Sequence, residues 1–278
     1  MPDESAQIQR AIQIALEEDI GSGDATSNAT LPEALVYNGR FLIKAPGILS
    51  GLNIAEQVFK TVDERLVLTK LVADGTAVSP GDIIATINGP ARSLLTAERT
   101  ALNFMQRMSG IATMTRQFMD AVAGTNVIIL DTRKTVPGLR ALDKMAVRQG
   151  GGQNHRIGLY DMVLIKDNHI AAAGGITTAV ARVRATEAAN LPIEVEVKNL
   201  TELQEVLPLN VDRIMLDNMS LAEMKEAVGM VNGRCHLEAS GNVTLQTVAA
   251  IAATGVDYIS SGALTHSVTA LDISLNFE

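Results

Sequence analysis

The chain has 278 residues, of which 47% are hydrophobic and 19% are charged, a balance that excludes an intrinsically disordered protein. Its formal charge of −8 and its 3% of aromatic residues argue against general nucleic-acid binding, which needs a basic surface or stacking side chains. The single cysteine, Cys235, excludes a disulfide framework and a cysteine zinc site. No apolar run approaches the roughly 18 residues of a membrane span and no secretion signal is seen, so we expect a cytoplasmic protein.

The first 90 residues contain a helical pattern followed by short β-rich runs. Apolar residues from Ile8 to Leu16 share one helical face, and the acidic residues 17–19 end this helix before Gly21. From Arg40 to Pro90, short β-rich runs alternate with turn signals, which predicts a small structural β-domain. A module of the biotinyl or lipoyl type is the alternative, but no lysine lies on a suitable hairpin.

A long helical pattern extends from Leu94 to Ala123. Its apolar positions form one stripe, made of Leu94, Ala101, Leu102, Met105, Met108 and Ala112. Glu98 falls inside this stripe and Arg99 lies at its rim. Because a carboxylate is costly to bury without a partner, the stripe meets another chain, approaches a polar site, or contains a structural ion pair.

After Gly124, apolar strand-like runs recur, and each ends in a polar or small residue. The end positions are 35, 30, 21, 23 and 21 residues apart, at Asp131, Lys166, Glu196, Asp217, Ser240 and Ser261. Helical patterns separate the later runs, which predicts parallel strands joined by helices. Polar residues at the ends of so many strands favour a (β/α) barrel, with a doubly wound open sheet as the alternative. Since only six strands are clear, we expect an incomplete barrel.

Positive charge is concentrated around the first two of these strand ends. Seven Lys and Arg residues but only four Asp residues lie between Asp131 and His169. The cations nearest the strand ends are Arg133, Lys134, Lys166 and, after a flexible glycine triplet, the pair His155-Arg156. Arginine binds carboxylate and phosphate groups in a bidentate fork, so this segment predicts an anion site. A run of solvated surface charges is the alternative.

Carboxylates follow on the next two strands. Alternation in the run from Ile193 to Lys198 places Glu194, Glu196 and Lys198 on one face. In a barrel this face would line a polar cavity, whereas an edge strand with a wet face is the alternative. Asp217 ends the following strand. Two carboxylates without a histidine pair at ligand spacing suit Mg²⁺ shared with substrate phosphates better than zinc.

The last two strands end in loops of small residues, Ser240-Gly241-Asn242 and Ser261-Gly262-Ala263. Loops after the final strands of such barrels often bind a phosphate through backbone N–H groups. We find no Ser/His/Asp spacing, zinc-protease helix or Walker loop. Side chains interpreted as structural are Cys235, His169, His236 and His266.

These residues lie in segments that together resemble the quinolinate phosphoribosyltransferase family. The segments follow one another in order over nearly the whole chain, and the combination of DTRKT with GGGQNHR is highly specific. They are EEDIGSGDAT, TAERTALNFMQRMSGIAT, DTRKTVPGLR, KMAVRQGGGQNHRIGLYDMVLIKDNHI, EVEVKNL, IMLDNM, LEASGN and GVDYISSGALTHS.

The resemblance implies an α/β fold, in which an incomplete TIM-like (β/α) barrel accompanies an N-terminal α/β open-sandwich domain. The sandwich domain would comprise residues 1–110, joined by a C-terminal strand within residues 267–278, and the barrel would comprise residues 111–266. The family also forms homodimers or higher assemblies, in which each active site takes an arginine from the neighbouring subunit. That arginine matches Arg99. Neither nucleic acid nor a membrane is an expected partner.

The resemblance further implies the reaction. Quinolinate and phosphoribosyl diphosphate would give nicotinate mononucleotide, CO₂ and pyrophosphate in NAD biosynthesis, with Mg²⁺ as cofactor. Substrate binding is implied for Arg99, Thr132, Arg133, His155, Arg156, Ser240, Gly241, Asn242, Ser261, Gly262 and Ala263. Catalytic roles are implied for Lys134, Lys166, Glu196 and Asp217, of which the two carboxylates would also hold the metal.

Other functions stay open. A nicotinate-type phosphoribosyltransferase or the family's molybdenum-operon paralogue would share the barrel and the phosphate loops. Nicotinate, however, would need fewer groups for a second carboxylate. A non-catalytic anion-binding barrel would not need carboxylates such as Glu196 and Asp217 opposite Lys134 and Lys166.

Overall fold

A computed structural model of the chain describes residues 3–277, which form two compact units. The first unit combines residues 3–116, 136–151 and 267–277, and the second combines residues 117–135 and 152–266. Both units are therefore discontinuous in sequence. The expected division between residues 110 and 111 stays a prediction, and the sequence patterns do not predict that residues 136–151 belong to the first unit.

Eleven α-helices, two short 3₁₀ helices (Glu187–Asn190 and Leu207–Leu209) and twelve strands are found among the described residues. The helices are α1 (Glu4–Ile20), α2 (Ala25–Thr30), α3 (Leu52–Val62), α4 (Ala91–Ala121), α5 (Arg140–Gly150), α6 (Asp167–Ala173), α7 (Ile176–Arg184), α8 (Leu200–Val206), α9 (Leu221–Val231), α10 (Val248–Ala252) and α11 (Ala263–His266). The strands are β1 (Val36–Ile43), β2 (Gly47–Ile48), β3 (Val67–Lys70), β4 (Ala77–Val78), β5 (Ile83–Pro90), β6 (Ile128–Leu130), β7 (Val163–Ile165), β8 (Ile193–Val197), β9 (Arg213–Asp217), β10 (His236–Ser240), β11 (Tyr258–Ser260) and β12 (Ile273–Phe277).

The first unit contains an antiparallel sheet of four strands in the order β12-β1-β5-β3. Burial alternates along β1, with Phe41 and Ile43 fully buried, so one face of the sheet is packed. The apolar side of α3 supplies buried partners, and Phe59 contacts Phe41 edge to face at 6.0 Å between ring centroids. The β-rich runs predicted between residues 40 and 90 form strands, but α3 lies among them and the segment is part of the larger first unit.

Helix α4 begins three residues before the predicted start, and all six residues of the apolar stripe are buried. Glu98 is half-buried, and burial raises the pKa of its carboxyl although the charge of Arg99 opposes the shift. Arg99 itself is exposed. Despite the 31 residues of α4, no helix among residues 3–277 is long and apolar enough to cross a membrane.

The second unit contains six parallel strands in the order β6-β11-β10-β9-β8-β7. Strands β7 to β11 are neighbours in chain order, and β6 lies beside β11. Gln153 continues the sheet on the other side of β6 through one parallel bridge to Leu130. This is the incomplete barrel predicted from the sequence, and the doubly wound alternative is wrong because its strand order would reverse part-way across the sheet.

The carboxyl ends of these strands carry the predicted polar residues. Asp217 and Ser240 are the last residues of β9 and β10, and Asp131, Lys166 and Ser261 directly follow β6, β7 and β11. Strand β8 has neighbours on both sides, and all five of its residues are buried. The alternative of an edge strand with a wet face is therefore wrong.

Register determines which side chains share the inner layers of the sheet. Residues paired on adjacent parallel strands point to the same face. The pairing joins Glu196 to Met215, Met215 to Glu238 and Glu238 to Tyr258, so these residues share one face. Glu194 pairs with Arg213, two residues nearer the amino ends on the same face. Four charged residues thus project from one face of three neighbouring strands, in two successive layers.

Candidate active site

The end of β6 is tied to the segment that carries His155 and Arg156. The Asp131 carboxylate is fully buried and accepts hydrogen bonds from Asn154 Nδ2 at 2.6 Å and from the His155 backbone N–H at 2.9 Å. The Gln153 N–H also donates to the carbonyl of Ile129. Because these bonds join residues about 24 positions apart, they bring the residues after β6 next to the His155-Arg156 pair.

Arg133 and Arg156 lie close enough to repel each other. The pKa of the Arg156 guanidinium is lowered by burial and then by the positive charge of Arg133, while Glu194 and Asp161 act in the opposite direction. Arg156 Nη1 also donates to the carbonyl of Met162 at 3.2 Å. Two neighbouring guanidinium groups at the carboxyl edge of a parallel sheet form a site for an anion, because an anion would relieve their repulsion.

Lys134 is placed against the loop that follows β11. The Lys134 carbonyl accepts a hydrogen bond from Thr265 Oγ1 at 2.9 Å, and its N–H donates to Thr132 Oγ1 at 3.0 Å. The Lys134 side chain crosses Gly262 so closely that a Cβ atom at this glycine would lie 2.8 Å from Lys134 Cδ. The lysine and the loop of Ser261, Gly262 and Ala263 therefore form one continuous surface.

Lys166 and Glu196 form an ion pair between the ends of β7 and β8. Lys166 Nζ lies 3.1 Å from Glu196 Oε2, with the lysine side chain 45% exposed and the glutamate side chain 10% exposed. The Lys166 N–H donates to His169 Nδ1, so His169 caps the start of α6. This cap supports the structural role predicted for His169, and it fixes the backbone from which Lys166 reaches Glu196.

Asp217 is linked to the loop after β10 through a residue that sequence reasoning missed, Asn218. Asn218 Nδ2 donates to Asp217 Oδ1 at 2.9 Å, and Asn218 Oδ1 accepts from Asn242 Nδ2 at 3.0 Å. Gly241 has φ +95°, and a Cβ there would overlap the Asn218 side chain. An Asn directly after the strand-ending Asp217 could have indicated this residue, because Asn tolerates the left-handed conformation that Asn218 adopts here.

The two small-residue loops are anchored to the sheet. The Ser261 N–H donates to the carbonyl of Leu130, and Ser261 Oγ donates to the carbonyl of Val243 at 3.1 Å. Ser260 Oγ donates to Ser240 Oγ at 3.0 Å across β11 and β10. Both loops therefore follow adjacent strands at the same edge of the sheet, as predicted for phosphate-binding loops.

His155 is buried and points away from the strand ends. Its Nε2 lies 3.0 Å from Glu194 Oε2 and 3.3 Å from Glu238 Oε2, while its Nδ1 accepts the N–H of Arg156 at 2.8 Å. Burial lowers the pKa of this imidazole, but hydrogen bonds and charges from the two glutamates outweigh burial and raise the pKa to about 9. Because Nδ1 acts as an acceptor, the ring carries its own proton on Nε2, and the additional proton is shared with the Glu194 carboxyl, whose pKa is raised to about 7 by burial and by the charge of Glu238.

Glu196 and Asp217 supply the oxygen ligands that Mg²⁺ prefers. Glu196 pairs with Met215, two residues before Asp217, so the two carboxylates lie on the same face of adjacent strands in successive layers. Two carboxylates cannot fill the octahedral shell of Mg²⁺, which is the usual situation where phosphates and water complete the shell. The ion pair between Glu196 and Lys166 would then be shared with the incoming metal and phosphate charges.

The second unit thus brings together all the predicted site residues except Arg99, which lies on α4 in the first unit. Of the remaining side chains interpreted as structural, His236 and Cys235 lie at the opposite end of β10 from this edge, whereas His266 lies at it. His236 is largely exposed at the start of β10, 3.7 Å from Asp257, and burial raises the pKa of the Cys235 thiol. His266 ends α11 beside Gly262.

The chain is similar to known proteins in both sequence and fold. The chain is 48% identical over 290 residues to the chloroplastic nicotinate-nucleotide pyrophosphorylase [carboxylating] of Oryza sativa subsp. japonica, covering 98% of this chain and 78% of that protein. It is 46% identical to a probable nicotinate-nucleotide pyrophosphorylase of Synechocystis sp., covering 95% and 90%. The solved structure of the nicotinate-nucleotide pyrophosphorylase from Francisella tularensis superposes with a TM-score of 0.94 at 40% identity, covering 100% of this chain and 98% of that one.

Family models match both parts of the chain. The N-terminal domain of quinolinate phosphoribosyl transferase matches residues 24–109, and the C-terminal domain of the same family matches residues 111–276. The matched ranges together include every predicted site residue. The chain belongs to the quinolinate phosphoribosyltransferase family.

Proposed function

We propose that this protein transfers the phosphoribosyl group of phosphoribosyl diphosphate to the ring nitrogen of quinolinate. The products are nicotinate mononucleotide, CO₂ and pyrophosphate. The observation that carries this proposal is that Asp131 ties the segments of Arg133 and Arg156 together at the carboxyl edge of the barrel sheet, where the two positive charges repel each other. A pyridine dicarboxylate supplies two negative groups on one rigid ring, which is the shape that two neighbouring guanidinium groups bind.

Quinolinate binding falls to the residues around this arginine pair. Arg133 and Arg156 would each bind a carboxylate, and Thr132 lies directly before Arg133 in the same turn. His155 holds the backbone N–H of Arg156 through its Nδ1. Arg99 would add a further guanidinium from the neighbouring subunit of a homodimer, where its exposure on α4 leaves it available.

Phosphoribosyl diphosphate binding falls to the lysines and the two late loops. Lys134 lies across Gly262, so its ammonium group and the loop of Ser261, Gly262 and Ala263 can engage the same anion. The loop of Ser240, Gly241 and Asn242 offers backbone N–H groups at the neighbouring strand end. We assign the 5′-phosphate to these loops and the diphosphate to Lys134 and Lys166.

Glu196 and Asp217 are the residues that would hold Mg²⁺. Bound there, the ion would neutralise charge on the diphosphate as it leaves. The two carboxylates would also stabilise the positive charge that develops on the ribose as the bond from its anomeric carbon to the diphosphate oxygen breaks. Lys134 and Lys166 would also offset the negative charge of the departing diphosphate, Lys166 from a position beside Glu196.

The second half of the reaction follows from the product of the first. When the ring nitrogen bonds to the anomeric carbon it becomes positively charged. The neighbouring carboxylate can then leave as CO₂, because its electron pair remains on a carbon next to the cationic nitrogen, and a proton then replaces it. The arginine pair would hold the ring in place through both steps, which keeps the reacting atoms aligned.

We also propose that the protein works in the cytoplasm. Its single cysteine supports a reducing compartment. The comparison protein of rice is named as chloroplastic, a different compartment from the one proposed for this chain. Fractionation of the source cells with antibody detection would decide this point, and enrichment in a membrane-bounded organelle would contradict it.

The test of the reaction measures CO₂ release from carboxyl-labelled quinolinate with phosphoribosyl diphosphate and Mg²⁺, omitting each in turn. We expect release only when all three are present, together with a nucleotide product. Consumption of phosphoribosyl diphosphate with nicotinate instead would favour the nicotinate-type transferase. No turnover with either acid would contradict the proposal and leave an anion-binding barrel.

A further inference from the structure

Two buried carboxylates lie beneath the candidate site and have no part in the proposed chemistry. The Glu194 and Glu238 side chains are both 0% exposed, and both approach the same nitrogen, His155 Nε2, at 3.0 and 3.3 Å. Burying two carboxylates side by side is costly, because each loses its water and repels the other. Such a pair is stable only where neighbouring groups compensate its charge, so the groups around it indicate how it is stabilised.

Neighbouring groups compensate the negative charge of Glu194 and Glu238. Arg213 Nη1 donates to Glu238 Oε2 at 2.9 Å, and the same guanidinium lies 4.1 Å from the centre of the Tyr258 ring. Arg213 therefore balances one carboxylate, and the additional proton shared between His155 and Glu194, whose pKa is raised to about 7 by burial and by the charge of Glu238, balances the other. The nitrogen and oxygen atoms of His155, Glu194 and Glu238 also lie within 4.8 Å of one another, as metal ligands do. Because Arg213 and this shared proton already offset the two carboxylates, the cluster needs no metal ion.

The other side of the imidazole faces the anion site. The N–H of Arg156 donates to His155 Nδ1 at 2.8 Å, and the N–H of His155 donates to Asp131 at 2.9 Å. The ring thus contacts Glu194 and Glu238 through Nε2 and accepts a hydrogen bond from the Arg156 backbone through Nδ1. The guanidinium of Arg156 must also stay next to Arg133 against their mutual repulsion.

From these contacts we infer that Glu194 and Glu238 are positioning residues, which hold His155 and through it keep Arg156 in place for carboxylate binding. They touch neither substrate nor the reacting atoms. The inference rests on the proposed function, since it identifies quinolinate as the anion that Arg156 receives. Loosening the buried pair should let Arg156 turn away from Arg133, which would weaken quinolinate binding and leave the phosphate loops unchanged.

The test compares Glu194→Gln and Glu238→Gln with the unaltered protein in steady-state kinetics. Each variant keeps the side-chain volume and removes the charge that faces His155. We expect KM for quinolinate to rise about 10-fold to 100-fold, while KM for phosphoribosyl diphosphate changes less than about twofold. If a glutamine variant does not fold, Glu194→Asp or Glu238→Asp replaces it, because aspartate keeps the charge but shortens the reach to Nε2.

A control separates positioning from general loss of stability. Val248→Ala removes buried volume from α10 in the same unit, away from the charged cluster. We expect this variant to lower Tm as the glutamine variants do and to leave the ratio of the two KM values unchanged. The inference would be overturned if both KM values rose equally in the glutamine variants. It would also be overturned if Val248→Ala raised KM for quinolinate without raising KM for phosphoribosyl diphosphate.

A substrate-free measurement keeps this inference separate from the proposed function. Hydrogen exchange of the Arg156 amide, which donates to His155 Nδ1, should be faster in both glutamine variants than in the unaltered protein or Val248→Ala. Absence of quinolinate turnover in the unaltered protein would contradict the proposed function alone. Unchanged exchange at Arg156 would contradict the positioning role, whatever the substrate.

Discussion

The ion pair of Lys166 contributes little to stability, but it positions the ammonium group of this lysine. Its ammonium group lies 3.1 Å from Glu196, yet its side chain is 45% exposed, and pairs of this exposure contribute little to stability. The pair is better understood as a means of aiming the lysine. The cap from His169 fixes the backbone at the same residue, so the ammonium group is held from both ends.

Replacing this lysine tests its proposed catalytic role. We expect Lys166→Ala to lower kcat/KM about 100-fold or more, because a preorganised donor to the diphosphate is lost, while Tm changes little. Lys70→Ala is the matched control. Lys70 forms a partly exposed ion pair with Glu56 in the first unit, so the activity of this variant should stay within about twofold of the unaltered protein. Near-normal turnover in Lys166→Ala would contradict the role assigned to this residue.

A substitution at Gly262 tests whether Lys134 binds the diphosphate. A methyl group there would meet Lys134 Cδ and His266 Cδ2, both at 2.8 Å, and the lysine side chain can move aside. We expect Gly262→Ala to raise KM for phosphoribosyl diphosphate about 10-fold with little loss of stability. Gly229→Ala, where the added Cβ meets nothing within 4 Å, is the control. Unaltered KM in Gly262→Ala would argue against Lys134 as a diphosphate ligand.

At the scale of strands and helices, much of the site could be predicted because parallel strands bring their carboxyl ends to one edge. That rule located Lys166, Glu196 and Asp217 from spacing alone. It did not locate Glu238, because a single acid inside the run HLEAS has no local sign that its partner is His155, 83 positions earlier. Contacts between elements distant in sequence decide such pairs.

The buried cluster on β8 and β10 predicts how stability depends on pH. The pKa of His155 is about 9 in the folded protein, above its value near 6.5 in the unfolded chain. The contribution of His155 is therefore complete below about pH 6.5 and is lost as pH rises through about 9. The pKa of Glu194, raised from 4.5 to about 7, changes stability in the same direction at lower pH. We expect the free energy of unfolding to fall by on the order of 3 kcal/mol between about pH 6.5 and about pH 9.

Urea unfolding at about pH 6 and about pH 9 measures this change, since each midpoint converts to a free energy. His155→Gln keeps an amide near the Nε2 position but cannot take up the proton, so its stability should depend less on pH over the same interval. An equal pH dependence in the variant and the unaltered protein would show that other groups are responsible.

At the scale of the whole molecule, the proposed site is incomplete in one chain, because Arg99 would come from a second copy. A homodimer with twofold symmetry would then contain two shared sites. The apolar stripe of α4 was predictable from its period, and so was the unusual position of Glu98 within it. The grouping of α5 with the first unit was not, because residues 136–151 lie in sequence between two segments of the second unit.

Mixing two inactive variants tests the sharing of sites. Arg99→Ala and Lys166→Ala should each be inactive alone. After the two are unfolded together and refolded, half of the dimers would be mixed, and each mixed dimer would have one intact site, so about a quarter of the activity should return. Refolding each variant alone is the control. No recovery, with mixed dimers shown to form, would place Arg99 in the site of its own chain.

The pairing of β1 with β12 has a consequence for synthesis on the ribosome. Phe41 pairs with Leu275, so the two strands are separated by about 230 residues of intervening chain. The sheet of the first unit can gain this strand only after the whole barrel has been translated. Until then β1 keeps an open edge that another nascent chain could join. Recruitment of a chaperone to this exposed edge is thus expected to persist until translation ends.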